Sequence, residues 1–394
     1  MLDTVTNTFA LIGTIIFIGF LSEELYRKTK IPSVLILVLL GLMIGPITGY
    51  SDPQQLIEMT PIFAPIALMF ILFEGGLNMN LFKILKSSPR ALIFGVLNVV
   101  LSIFVCGILF NLIFGVDLMV GAIFGAIAAG TSAAMIEGMK IREGVYNFIS
   151  IEAVANDILC IVLTISLVIG YTTGDNDLFK VGGTILSQFL VGTMFGLIAA
   201  VFWMKVLKKT RAKPFSYMIA LATLFVVYSI ADKFNGNGAI AVLVFGLILS
   251  NGLQIFEFFK IKQNKYFYDE TLKKTHNEFS FFIRTFFYVY LGMIAGISNI
   301  NIILIGIVIT VLLFIIRALS TIVCTFKTTL FKNAAFIAAI GSKDLASVVL
   351  AQIPYAYGIE NTNMFSELIL VIVITSIFFS TVLVGAMTIR NSKK

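Results

Sequence analysis

Long apolar stretches follow one another along almost the whole chain, separated by short polar breaks. Thirteen of them reach or approach the ~20 residues that a helix needs to cross a bilayer. They fall at about 6–22, 31–49, 61–79, 90–114, 118–137, 148–170, 181–205, 214–231, 237–252, 278–297, 302–325, 333–356 and 364–388. The ninth is short and the twelfth is interrupted. Brief connections place neighbouring helices antiparallel, so the pattern predicts an all-α polytopic membrane protein of about thirteen transmembrane helices. With 59% hydrophobic and 12% charged residues, a soluble domain of 394 residues is excluded. The first stretch has no basic segment ahead of it and no small-residue cleavage site, which predicts a retained span.

The net charge of +7 is a topology signal. Of the 28 lysines and arginines, all but Lys180, Lys233, Arg284, Arg317 and Lys343 fall after odd-numbered spans, in clusters such as Lys205–Lys213 and Lys260–Lys274. Positive loops stay in the cytoplasm. The expectation is therefore a multi-pass plasma-membrane protein with its N-terminus outside and its C-terminus cytoplasmic. Lipid is the partner that these charges serve, and nucleic acid is not. The loop 255–277 mixes aromatic and charged residues and reads either as an amphipathic helix at the interface or as an extended connector. Three cysteines at unrelated spacings support neither a disulfide framework nor a metal cluster, and the one histidine, His276, argues against a histidine-ligated cofactor. No cofactor is expected.

The polar residues inside the spans point to chemistry. Asp157 lies about nine residues into the sixth span, roughly 14 Å at 1.5 Å per residue, near the middle of a ~30 Å hydrocarbon core. A carboxylate at that depth is costly and by default functional. With Asn156 beside it, it reads as a site that holds a small cation such as Na⁺ or a proton. Asn156 offers either a carbonyl oxygen to a cation or an amide to nearby backbone. Glu152, one helical turn earlier, and Arg317 in the eleventh span sit at comparable depths, and opposite charges in low dielectric are best placed together as a structural salt bridge. Lys343 and Asp344 lie near the middle of the twelfth span, as charges for a broken helix or, for Asp344, as a second ion ligand. Glu74 in Phe73-Glu-Gly-Gly-Leu77 reads as an ion-path acid or as a helix-end acid facing the interface. Thr131 and Ser132 can supply oxygens to a hard cation, or simply bond their own backbone. Arg284, near a helix start, is expected to snorkel to the interface.

The fifth and twelfth spans echo one another. Ile127-Ala-Ala-Gly-Thr-Ser and Ile337-Ala-Ala-Ile-Gly-Ser each place a glycine and hydroxyl residues in mid-run. Paired interruptions of this kind mark broken helices at a binding site. Seven spans apart, they cross in opposite directions, the arithmetic of two inverted repeats with broken helices crossing near mid-membrane.

In this ordered set of motifs the chain resembles the cation:proton antiporters, in the electroneutral, NhaP-like branch of the sodium/proton exchangers. The carrying residues are Phe73–Leu77, Glu152 with Asn156-Asp157, Arg317-Ala-Leu-Ser320, and the breaks at Gly130-Thr131 and Gly341-Ser342. The resemblance implies a homodimer. Residues 1–89 (spans one to three) and 171–297 (spans seven to ten) would form a dimer and connector part. Residues 90–170 and 298–394 would form a mobile core that includes both broken helices. It implies that cation and proton compete for Asp157, and that Asn156, where the electrogenic branch has aspartate, makes the exchange electroneutral. The chain departs from the family pattern at Ser132-Ala133, where Asp-Pro often follows the threonine, and at Ala153, where Ser commonly follows the glutamate. Lys343-Asp344 stands where arginine and glycine are usual.

The function expected is antiport of Na⁺ or Li⁺ against H⁺ by alternating access. The alternative is a K⁺/H⁺ exchanger or a Kef-like potassium efflux system; the latter usually carries a soluble nucleotide-binding tail, against which the end at Lys394 argues. An intramembrane aspartyl enzyme using Asp157 and Asp344 lacks the Tyr-Asp and Gly-x-Gly-Asp signatures, so the chain is not expected to be an enzyme. A channel suits broken helices around one carboxylate less well than alternating access does.

Overall fold

The computed structural model describes residues 2–29, 33–48, 53–78, 89–132, 136, 141–173, 178–210, 216–258, 270–294, 300–343 and 345–392. All regular elements among them are helical. In chain order they are α1 (Leu2–Thr29), α2 (Ser33–Leu42, continued by a π turn to Ile47), α3 (Pro53–Asn78), α4 (Pro89–Phe114), α5 (Leu118–Ala128), α6 (Glu143–Thr172), α7 (Leu178–Thr210) and α8 (Ser216–Lys233). There follow α9 (Gly238–Phe258), α10 (Glu270–Ile294), α11 (Ile300–Thr325), the short α12 (Ala334–Ala339), α13 (Leu345–Leu350) and α14 (Ile353–Ala356), and α15 (Met364–Ser392).

Six of these helices are long and apolar enough by themselves to cross a membrane; α2, α3, α5, α9 and the α13–α14 segment carry shorter apolar runs. Their outer faces are paved with large apolar side chains, such as Leu112 (78% exposed), Phe104 and Phe378. A patch of that extent belongs against lipid rather than water.

The helices pack in two groups. In one, α4, α5, α6 and α11–α15 surround each other; in the other, α1–α3 and α7–α10 do. Small residues make the close crossings within each group. A Cβ on Gly125 of α5 would lie 2.5 Å from the Ser102 carbonyl of α4, so only glycine lets these helices approach. Gly76, in the Phe73–Leu77 motif, has the same relation to the Leu243 carbonyl of α9. That glycine is explained by packing.

The breaks expected in the fifth and twelfth spans are present: α5 ends at Ala128 with residues 129–132 outside regular helix, and α12 ends at Ala339 ahead of Gly341-Ser342, with α13 and α14 following. Element bounds differ from the sequence reading in one further place. The segment 255–277 is largely claimed by its neighbours. α9 runs on to Phe258 and α10 starts at Glu270, where an amphipathic face allows the helix to continue past the apolar run; residues 259–269 lie outside the described set.

Candidate functional site

Two helix breaks meet at the centre of the first packing group. α5 ends at Ala128, leaving residues 129–132 outside regular helix, and α12 ends at Ala339, leaving 340–343. The two segments are tied backbone to backbone, with the Ser132 amide donating to the Ser342 carbonyl at 2.8 Å and the Ser342 hydroxyl reaching the Ser132 carbonyl at 3.5 Å.

Backbone groups freed by a break inside a membrane have no water to bond, so side chains must replace it. α15 supplies two hydroxyls one turn apart: Ser380 accepts from the Gly341 amide at 3.1 Å and Ser376 from the Lys343 amide at 3.0 Å. On the other break, three donors converge on the Ala129 carbonyl at the C-terminal end of α5. They are Asn156 Nδ2 at 3.0 Å, Asn98 Nδ2 at 3.5 Å and Lys343 Nζ at 3.5 Å. The last carbonyls of a helix carry the negative end of its dipole, and the ammonium of Lys343 is placed to offset it. Lys343 is buried.

Glu152 and Arg317 form the charged centre of the scaffold. Nη1 and Nη2 of Arg317 each lie 3.0 Å from one carboxylate oxygen of Glu152, a two-pronged pair at 2% and 0% side-chain exposure. The guanidinium stands 5.0 Å from the centroid of the Phe94 ring. Thr131 connects this pair to the breaks, since its hydroxyl donates to Glu152 Oε1 at 2.9 Å and accepts from Asn156 Nδ2 at 2.7 Å. Asn156 Oδ1 accepts from the Cys160 thiol at 3.5 Å. Arg317, Glu152, Thr131, Asn156 and Cys160 thus form one buried chain of contacts reaching from α11 to the break in α5 and back into α6. Both amide hydrogens of Asn156 are engaged by the break.

Asp157 follows Asn156 on α6, about 100° further around the helix, and is partly buried where Asn156 is fully buried. Ser132, also partly buried, belongs to the crossed segment. Asp344 lies outside the described residues.

Glu74 sits apart from this cluster, in the second packing group. It accepts from the Ser280 hydroxyl of α10, and Arg284 Nη1 lies 3.4 Å from its Oε2. Arg284, expected only to reach the interface, is therefore an ion-pair partner: a half-buried carboxylate and a guanidinium in low dielectric are held better together than apart. His276, one turn before Ser280, is buried against the Phe70 and Phe73 rings of α3, with Nδ1 3.1 Å from the Tyr217 hydroxyl and Nε2 3.3 Å from the Phe70 carbonyl. Sequence reading missed Asn98, Cys160, Ser376, Ser380 and Ser280. Asn98 left a signal, an amide in the middle of an apolar run, whereas the serines look like any hydroxyl bonding its own helix.

Comparison with known proteins places this arrangement. A K⁺/H⁺ antiporter NhaP of Alkalimonas amylolytica is 25% identical over 96% of this chain and 66% of its own length. Na⁺/H⁺ antiporter 1 of Methanocaldococcus jannaschii is 24% identical over 73% of this chain and 68% of its own. The chain thus spans about two thirds of these relatives' length. The solved structure of the sodium proton antiporter MjNhaP1 from Methanocaldococcus jannaschii at pH 8 superimposes with a TM-score of 0.78 at 20% identity, covering 98% of this chain and 97% of that one. That likeness shows the fold. A family model described as "Sodium/hydrogen exchanger, transmembrane" matches residues 12–388, and the chain belongs to that family.

Proposed function

We propose that this protein is a secondary active antiporter exchanging a monovalent cation, Na⁺ or Li⁺, for H⁺ by alternating access, with the two ions competing for Asp157. The observation that supports this most directly is that Asn156, the residue before Asp157 on α6, bonds the break in α5 within a buried network that also holds the Glu152–Arg317 pair and Lys343. Glu152 is neutralised by Arg317, and Lys343 faces a helix end. On this reading Asp157 is the group that exchanges its proton for the cation. One proton leaves as one cation binds, so the exchange moves no net charge.

The division of roles follows from the contacts. Asp157 takes the ion, and Ser132 and the break carbonyls are the oxygens offered beside it, the donors that hard cations prefer. Thr131 and Asn156 hold the break in shape, Thr131 keeping a lone pair to offer. Asp344 is a further candidate ligand, and Glu74, paired with Arg284, acts from outside the cluster. Potassium is the second reading, favoured by the relative named a K⁺/H⁺ antiporter that aligns with 96% of the chain. The protein works as a homodimer in the plasma membrane, with its basic loops and C-terminus in the cytoplasm.

Purified protein in liposomes, carrying a trapped pH dye, tests this by external addition of Na⁺, Li⁺ and K⁺ in turn. A cation-driven pH change with no accompanying membrane potential, lost in Asp157→Asn, is expected. Undiminished exchange in Asp157→Asn would refute the assignment.

A further inference from the structure

On the outer surface of the first packing group a groove of about 330 Å³ runs between α11 and α15, with the short α12 as its floor. Every residue that lines it is apolar, among them Phe314, Ile315, Ala318, Ala338, Phe379 and Leu383. The space exists because α12 presents alanines there: Ala335 and Ala338, three residues apart, share one face of the helix. α11 and α15 are both long and apolar enough to span the membrane, and Val311, Ile315 and Leu383 on the two walls are exposed. The medium at that depth is hydrocarbon. An all-apolar hollow offers water no partner, and left empty it forfeits dispersion contacts along its lining. From Val311 to Ala318 the groove follows seven residues of α11, about 10 Å at 1.5 Å per residue, against ~15 Å for one leaflet of a ~30 Å core. That is the path of an acyl chain within a single leaflet.

The end near mid-membrane is closed by Phe314 and Phe379, edge to face with ring centroids 6.1 Å apart. Phe314 also packs on the second helix break, since a Cβ on Gly341 would fall 2.8 Å from its ring. Ser380, next to Phe379, accepts from the Gly341 amide. The groove therefore ends one aromatic ring away from the crossed segments.

The other end opens where α11 passes into α12 through the turn Thr329–Asn333. Lys327 and Lys332 stand there, both exposed, with Lys332 three residues before the groove residue Ala335. Phe326 and Phe331, exposed and packed edge to face at 6.0 Å, hold this turn at the membrane surface. The chain has no Asp or Glu from Asn301 to Lys343 and none after Glu367, so the groove opens onto positive charge alone. Lysines at a membrane surface attract anionic headgroups.

We propose that this groove is a binding site for one anionic phospholipid: an acyl chain fills the space between α11, α12 and α15 with its tip against Phe314 and Phe379, and the phosphate lies by Lys327 and Lys332. A second copy of the chain is a poorer occupant, because a two-fold contact through this face would set the same lysines against each other. For the test, protein in phosphatidylcholine nanodiscs receives a trace of phosphatidylglycerol or of phosphatidylcholine carrying a diazirine at the tip of one acyl chain. After illumination, label in each peptide is quantified by mass spectrometry relative to the outer face of α4 around Val100 and Phe104, which reports bulk lipid. Residues 311–318 and 379–387 are expected to take about fivefold more label from the phosphatidylglycerol probe than from the phosphatidylcholine one, the preference that one surface lysine gives. Ala338→Leu fills the groove and should bring its labelling down to the α4 level; Ala335→Leu, at an exposed position, serves the same purpose should Ala338→Leu fail to fold. Lys327→Gln combined with Lys332→Gln should abolish the headgroup preference in a folded protein. Equal labelling by the two probes would mean bulk lipid only and overturn the site. So would a preference that survives the double glutamine variant, or groove labelling undiminished in the leucine variants. A groove that takes no label from either probe would point to a second protein copy and overturn it as well. Labelling needs no turnover, so the result stands apart from the antiport reading.

Discussion

Replacing Arg317 by methionine removes the charge while keeping most of the side-chain volume, and it isolates what the Glu152–Arg317 pair contributes. In the native protein Glu152 is fully buried and receives three short donors, two from Arg317 at 3.0 Å and one from Thr131 at 2.9 Å. Without the guanidinium, a buried carboxylate keeps one neutral donor. Breaking one side of such a pair costs about 3–5 kcal/mol. At roughly 2 cal/mol/K of unfolding entropy per residue, a chain of 394 residues loses about 4–6 °C of melting temperature for that penalty. Removing both charges with Glu152→Leu and Arg317→Met leaves no orphaned ion. What remains is one unsatisfied Thr131 hydroxyl, worth about 1–3 kcal/mol. The double variant should therefore be more stable than Arg317→Met alone, although it carries one substitution more. Melting of the purified protein in nanodiscs, followed by intrinsic fluorescence, gives all four corners of the cycle. An Arg317→Met protein that melts within 1 °C of wild type, or additive losses in the double variant, would refute the reasoning.

Three further outcomes follow from the same contacts. Thr131→Val removes both the donor to Glu152 and the acceptor of Asn156, so a loss of about 1–3 kcal/mol is expected, with Thr131→Ser close to wild type; melting curves of the two variants decide. Gly125→Leu pushes α5 off the Ser102 carbonyl and should cost several kcal/mol as well as the exchange activity, whereas Gly144→Leu, with open space around its Cβ position, should do neither. Lys343→Met strips the cation from the end of α5 and should lower the exchange rate, with Lys343→Arg restoring much of it; equal flux from the methionine and arginine variants in liposomes would exclude a charge role.

The sequence displayed what the membrane forces into the open. Every ionisable side chain in a span is conspicuous against an apolar background, which is why Asp157, Glu152, Arg317 and Lys343 could be singled out. The glycine-hydroxyl segments that end α5 and α12 were visible for the same reason. The partners of those groups were less visible. Ser376 and Ser380 bond the amides of the second break, yet nothing in their local sequence separates them from serines that bond their own turn. Arg284 stood near a helix start, where the distance to solvent suggested snorkelling. Its actual neighbour, Glu74, is 210 residues away in sequence, and a single chain carries no signal for a pairing of that range. Ion and hydroxyl types were thus readable one by one, whereas the geometry that joins them arises only from the packing of α3 on α10 and of α11 on α4.

The distribution of close-packed glycines carries the mechanical side of antiport. Wherever a Cβ would fall within 3 Å of another atom, the obstructing atom belongs to the glycine's own packing group: Gly121 and Gly125 against α4, Gly306 against α15, Gly341 against α11, Gly41 against α10, Gly76 against α9. None of the described glycines makes such an approach from one group to the other. Backbones locked that closely resist shear, since displacement by a fraction of a turn brings side chains into contact with carbonyls. Across the boundary α3 touches α13 and α14, and α6 touches α7. A cavity of about 350 Å³ opens between them. Rigid-body alternating access requires two bodies that move as units, and confining the closest approaches to each helix group suits that requirement. On the function proposed above, the crossed breaks and Asp157 would travel with one body, so an ion bound there would keep its ligands while the seam changed which side it opens to. Introducing bulk inside a body should disable folding. Introducing bulk at the seam, for example Ala356→Trp, should leave the protein folded and slow exchange, because only movement between the bodies is hindered. A seam variant that exchanges at the wild-type rate would count against motion along that boundary.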